Sequence, residues 1–426
     1  MWSRKRSLLH GYEYEAPPHK KKCSASLKTA LDRCERAAHH VRLNRSCGHS
    51  CPHDACVIAD NKHLINNKQI FEQISCWADP QNSVKKVMEL LKSRQAPSDI
   101  YLDNAVNKKF LELRGDITEE CGAEDKQHSW AIIEKQEEII MYGPYYPNYS
   151  NGEHSEDTVI KQTQELLESE VVSEDWKVYV FTMNSPCLTR NTDPCMLNLV
   201  RKAQEWWTLY RVKTHIGFVR CWGFKGNKEN VFRDINYQQV DCINQTEDHE
   251  GFVNAAEKKT DLNPVCETQY YAAKHLLQSG QLNFPLTTVQ EQDCKSYFKN
   301  MHSIVEDKPE EEKNIFKQEV NTMIQAAQAE LPEKKGSFEE HLETGRKFAL
   351  NYTFSQQVCD PLQEQLRVMF QQCWREMVQD KYAEFIREKL TEEFNRCTVE
   401  LFIKDIVKFT KEYLHIGRIR FKLLSD

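Results

Sequence analysis

No stretch of the 426-residue chain approaches the roughly 18 uninterrupted apolar residues that a membrane span requires. Met1-Trp2-Ser3-Arg4-Lys5-Arg6 leads into no apolar leader core either. Together these absences give the expectation of a nuclear or cytoplasmic chain that is not secreted and has no membrane partner. A compact disulfide framework is missing as well: the sixteen cysteines are scattered at irregular spacing, which favours reduced thiols, some free to bind metal. No internal repeat is visible, which excludes a solenoid. The chain also lacks an excess of positive charge. Its formal charge is −7, and twelve Lys and Arg against six Asp and Glu in residues 1–64 make that arm +6 and leave −13 for the rest. An acidic body presents no broad footprint for duplex DNA.

What is present falls into three regions. Residues 1–64 form a basic, irregular arm. Within it Arg4-Lys5-Arg6 and Lys20-Lys21-Lys22 read either as a bipartite nuclear import signal or as a solvated tail. The tract Cys47, His49, Cys51, His53 and Cys56 reads either as a second metal site or as a thiol-rich linker. Residues 65–260 carry mixed patterns, with helices at about 68–76 and 84–91. The core of this region, 129–224, reads as strand, strand, helix, strand, helix, strand: Trp130–Ile133, Ile139–Tyr142, about 152–169, Lys177–Thr182, Cys195–Tyr210 and Thr214–Phe224. The last crossover is expected to be right-handed. Asp193 is the expected N-cap of the helix at 195, with Pro194 as its first residue. Residues 261–426 are mostly helical after a charged hinge near 306–313, and the three- and four-residue spacing of Leu362, Leu366, Met369, Cys373 and Met377 predicts an amphipathic bundle.

One constellation carries chemistry. His154-Ser155-Glu156 opens a helix, Asn184-Ser185-Pro186-Cys187 follows a buried strand, and Asp193-Pro194-Cys195 opens the next helix. Two thiolates and a neutral imidazole can hold Zn2+ with its fourth position open, lowering the pKa of bound water to about 7. His154, Cys187 and Cys195 are the candidate ligands. Glu156, two residues past His154, is the candidate proton shuttle. The competing reading is two structural cysteines and an exposed histidine. His341-Leu342-Glu343 repeats the H-x-E spacing with no Pro-Cys after it and reads as a surface helix pattern. Tyr145 and Tyr146, just before His154, are candidates to stack on a base, or they cap the packing of a Gly-Pro turn. Trp206, Trp207 and Trp222 read as packing residues.

H-x-E followed by P-C and a second Cys, on this run of strands and helices, resembles the zinc-dependent cytidine deaminase-like superfamily, which includes AID/APOBEC-like enzymes. The resemblance covers about 129–224, or 80–280 with flanking helices. It implies an α/β fold, a mixed sheet flanked by helices, here followed by the mostly helical C-terminal region. It implies hydrolytic deamination of cytosine or adenine in single-stranded DNA or RNA or in a free nucleotide, with Zn2+ as cofactor. The spacing departs from the family's P-C-x-x-C, because seven residues, Leu188 to Pro194, separate the two thiols. The polar run Thr189–Asp193 suits a bulge before the helix. The alternative function is a catalytically inactive deaminase fold that binds a protein partner through its C-terminal helices.

Overall fold

The structure, a computed structural model, describes residues 68–93, 100–118, 126–135, 139–169, 172, 175–224, 231–256, 263–280, 282–286, 296–299, 301, 309–331 and 334–421. The expected import signal and the Cys47–Cys56 tract lie outside these residues. Among the described residues, three helices precede the sheet: α1 (68–78), α2 (Pro80–Lys92) and α3 (Asn104–Thr118).

Five strands form one mixed sheet. Strand β1 (Ser129–Glu134) pairs antiparallel with β2 (Ile139–Tyr145) and with β3 (Lys177–Asn184). Strand β3 pairs in parallel with β4 (Lys213–Arg220), and β4 in parallel with β7 (Leu414–Arg418). The near-continuous apolar runs of β1 and β3 are explained by cover on both faces. On one face Trp130, Ile132, Tyr179 and Phe181 meet Phe110 and Leu113 of α3. The cross-strand partners Trp130 and Phe181 stack with ring centroids 4.8 Å apart. On the other face Ala131, Ile133, Val178 and Val180 pack with Val159 of α4 (Ser155–Ser169) and with Leu199 and Val200 of α5 (Cys195–Tyr210). Strand β4 stops at Arg220 rather than reaching Phe224. Gly223 turns the chain at φ +64°, and any side chain there would meet Asn395.

The fifth strand comes from the stretch expected to be largely helical. Between β4 and β7 lie α6 (Tyr237–Gln245), α7 (His249–Asn254), α8 (Asn263–Gln278), the ribbon of β5 (Phe284–Leu286) with β6 (Lys334–Gly336), α9 (Glu310–Glu330), α10 (Phe338–Asn351) and α11 (Asp360–Thr410). The helices are therefore inserted within the sheet's connectivity, not appended after it. Of the expected hinge, Glu310–Lys313 open α9, and 306–308 lie outside the described residues.

The apolar segments read as parts of a bundle are one continuous helix in α11. No proline or glycine follows Pro361 within it, so nothing breaks its 51 residues, about 76 Å at 1.5 Å per residue. Its first half packs on α10, where Trp374 donates to the His341 carbonyl at 2.8 Å. This corrects the surface reading of His341. Its ring is buried and bonds the Phe284 carbonyl at 3.0 Å, tying α10 to the β5–β6 ribbon. The second half of α11 joins the main core through Phe402 and Ile406, and its Asp405 accepts from Trp77 Nε1 at 3.1 Å and pairs with Lys86. The helix delivers the chain to the sheet margin, where the Thr214 amide donates to the Tyr413 carbonyl at 2.7 Å. Among the described residues, no helix is long and apolar enough to cross a membrane.

Tyr179, His215 and His415 lie side by side across β3, β4 and β7. His215 is buried, stacks on Tyr179 at 4.8 Å, and lies 4.9 Å from the His415 ring. Burial, with the nearby His415 and Lys177 charges, pushes its imidazole down to about 3. His215 is therefore neutral in the fold, whereas the unfolded chain protonates it below its usual 6.5. Stability is complete above that pH and falls as pH drops towards about 3, by up to about 1.4 kcal/mol per pH unit. Urea unfolding between pH 7 and pH 5 checks this: His215→Phe should flatten the acid loss relative to wild type. Gly417 tests the sheet margin, because a Cβ there would lie 2.7 Å from the Leu102 amide nitrogen. Gly417→Val is expected to cost about 3 kcal/mol by overpacking, read by the same denaturation.

Candidate metal centre and active site

Two helix starts and one strand end converge at the carboxyl ends of β3 and β4, the edge where open α/β sheets place ligands. His154 sits immediately before α4. Its amide donates to Asp157 Oδ2 at 3.0 Å, which fixes the chain's entry into the helix. Cys187 follows β3 by three residues, in a loop held by Ser185: its amide donates to the Arg220 carbonyl at 2.6 Å, and its Oγ accepts from the Trp222 amide at 2.9 Å. Cys195 is the first residue of α5. Pro194 occupies the N-cap there with no side-chain cap bond, so Asp193 is not the cap; it pairs instead with Arg201 at 3.1 Å.

The three expected ligands are together. His154 Nδ1 lies 3.6 Å from Cys187 Sγ and 3.4 Å from Cys195 Sγ, and the donor atoms all fall within 4.8 Å of one another. Around a tetrahedral zinc, bond lengths of about 2.0–2.1 Å to nitrogen and 2.3 Å to sulfur place the two kinds of ligand about 3.6 Å apart. The observed separations match, and the donor set of one imidazole and two thiols suits zinc. The two thiols share one hydrogen bond: accepting it from Cys195, with help from His154 and the Cys195 amide, lowers the Cys187 pKa, and donating it raises that of Cys195. The contact with Cys187 raises the His154 pKa. The cluster thus favours thiolate beside imidazolium, charges that a divalent ion would replace.

Glu156 is 3% exposed and lies near enough to sense the charges of Cys187 and His154. Burial pushes its carboxyl up from the usual carboxylate range. Three side chains hold it. Gln127 Nε2 donates to Oε1 at 3.2 Å, Ser155 Oγ donates to Oε2 at 3.1 Å, and Thr182 Oγ1 lies 3.2 Å from Oε1. Gln127 also accepts from the Asn184 amide at 2.9 Å, fastening this carboxylate to the end of β3. None of these three was singled out from sequence. Thr182 carried the only signal, as the polar last residue of an apolar strand run; Gln127 comes from a loop that no pattern marks.

Tyr145 and Tyr146 stand on the same rim, at the end of β2. Tyr145 is half-buried against the core, while Tyr146 is half-exposed with its ring 6.1 Å from that of His128, which follows Gln127. Trp206 is buried and donates to Gln164 at 2.9 Å, and Trp207 stacks on Tyr413, so both pack as expected.

A family model described as SNAD3, Secreted Novel AID/APOBEC-like Deaminase 3, matches residues 44–416. No curated protein and no solved structure matches the chain. The match spans the sheet, the donor cluster and the inserted helices alike. The family's description corrects one expectation: it names secreted proteins, which overturns the nuclear or cytoplasmic, non-secreted reading. That reading rested on short basic runs, which solvated tails share, and on Met1–Arg6 leading into no apolar run.

Proposed function

Because the chain belongs to the Secreted Novel AID/APOBEC-like Deaminase 3 family, we propose that it is a zinc-dependent hydrolytic deaminase acting on cytosine or adenine, in single-stranded nucleic acid or in a nucleotide. The observation that carries this reading is the His154, Cys187 and Cys195 cluster with the buried Glu156 carboxyl beside it. His154, Cys187 and Cys195 hold the metal, which supplies the positive charge that makes water acidic near neutrality.

The chain's own residues do the rest. In the net reaction water adds to the amino-bearing ring carbon, a C–O bond forms, the C–N bond breaks, and ammonia leaves. Glu156 takes one proton from the attacking water and passes it to the ring nitrogen, then takes the second from the newly formed hydroxyl and passes it to the departing amine. Gln127, Ser155 and Thr182 keep its two oxygens in place for both transfers. Tyr145 and Tyr146 form an aromatic wall on which a base stacks, at about 1–3 kcal/mol per ring. Stacking and local contacts, not bulk charge, hold the substrate, since the protein carries −7.

Two measurements check this reading. The purified protein should contain one zinc per chain, and Cys187→Ser should lose it. Mass spectrometry of a pooled nucleoside, nucleotide and single-stranded oligonucleotide panel should show the roughly one-dalton gain of amine-to-carbonyl exchange. Glu156→Gln should keep the zinc and lose about 10²–10⁴ of the rate. A zinc-loaded wild type inactive on every base would instead favour an interaction module that works through the inserted helices.

A further inference from the structure

The insert between the two thiols is anchored at both ends. Leu188 is buried and its amide donates to the Gly223 carbonyl at 3.2 Å, while Asp193 at the far end is held by Arg201. Between these anchors the loop turns Arg190 inward, leaving its side chain 16% exposed. Its Nη1 donates to Asp157 Oδ2 at 2.8 Å and to Cys195 Sγ at 3.2 Å, and its Nε donates to Thr192 Oγ1. Asp157 Oδ2 is the same oxygen that accepts from the His154 amide.

We infer that Arg190 is a positioning residue of the metal centre, clasping Cys195 directly and the His154 segment through Asp157. The inference rests on the metal reading above. One guanidinium nitrogen bridges a carboxylate and a sulfur that belong to the two segments bearing the ligands. A P-C-x-x-C spacer would leave two residues between the thiols; the seven present here include the one that closes the centre. A charge-assisted N–H···S bond also withdraws electron density from the thiolate, leaving the metal more electron-poor than two unassisted sulfurs would. Arg190 and Asp157 neutralise each other, so the clasp adds no net charge beside the site.

Metal binding read by cobalt spectroscopy tests the clasp without reference to activity. The full-length protein is stripped of metal and titrated with Co(II) and, in competition with a chromophoric chelator, with Zn(II), for wild type, Arg190→Met, Arg190→Lys and Asp157→Asn. Circular dichroism confirms that each variant is folded. Wild type should show thiolate-to-cobalt charge-transfer bands at one equivalent. Arg190→Met should shift those bands to lower energy, because a thiolate without its donor gives up electrons more readily, and should weaken zinc binding about 10–100-fold. Arg190→Lys, which keeps the charge but not the Nε bond to Thr192 that orients the guanidinium, should fall between. If Arg190→Met does not fold, a shift in the same direction in Arg190→Lys and Asp157→Asn supports the clasp. Unchanged bands with zinc affinity within twofold of wild type, in whichever variants fold, overturn it. A wild type without thiolate-to-cobalt bands sinks the metal reading itself, a different failure from that of the clasp.

Discussion

The approach of one imidazole nitrogen to two sulfurs, at 3.4 and 3.6 Å, is the contact to which the other features of the molecule answer. Thiols and imidazole do not crowd together for packing's sake, since each sheds water on burial. What brings them there is the sheet. The parallel pairing of β3 with β4 sets the loop after β3 beside the start of α5, and α4 packs on the same face, so that His154, just before it, arrives opposite. Leu199 and Val200 anchor α5, and Val159 anchors α4, in the core beneath. Positions at the centre are thus fixed by apolar burial a turn or more away.

The inserted helices bear on the centre through the same sheet. Because β7 follows α11, the long helix carries the chain to the strand that is β4's outer neighbour. Its second half shares a core with α1, α2 and the strands, and Asn395 backs the Gly223 turn, whose carbonyl in turn holds Leu188. A mechanical path therefore runs from α11 to the insert that carries Arg190. The helical region and the strands beneath the centre share one apolar core, even though their apolar patterns look separable along the chain.

Much of this was legible from residues alone. Four of the five strands follow from runs such as Lys177–Thr182, and His154, Glu156, Cys187 and Cys195 stood out by residue type at strand and helix junctions. Strand β7 escaped because five residues with no clear alternation follow a strongly helical pattern, and strand pairing is decided by distant partners. The bundle became one helix because apolar periodicity reports a face but not its continuity. His341 shows the reverse error: a histidine among charges looked exposed, yet α10 turns that face inward onto Phe284. Gln127 and Arg190 were invisible for a related reason. Their roles come from loop geometry, which spacing does not encode. The family's description as secreted, too, was not legible from composition.

Zinc K-edge X-ray absorption of the purified protein tests the central claim most directly, because it counts the atoms around the metal. The account predicts two sulfurs at about 2.3 Å and two lighter atoms at about 2.0–2.1 Å, one of them histidine nitrogen. A shell made wholly of sulfur, or one with no sulfur, would contradict it.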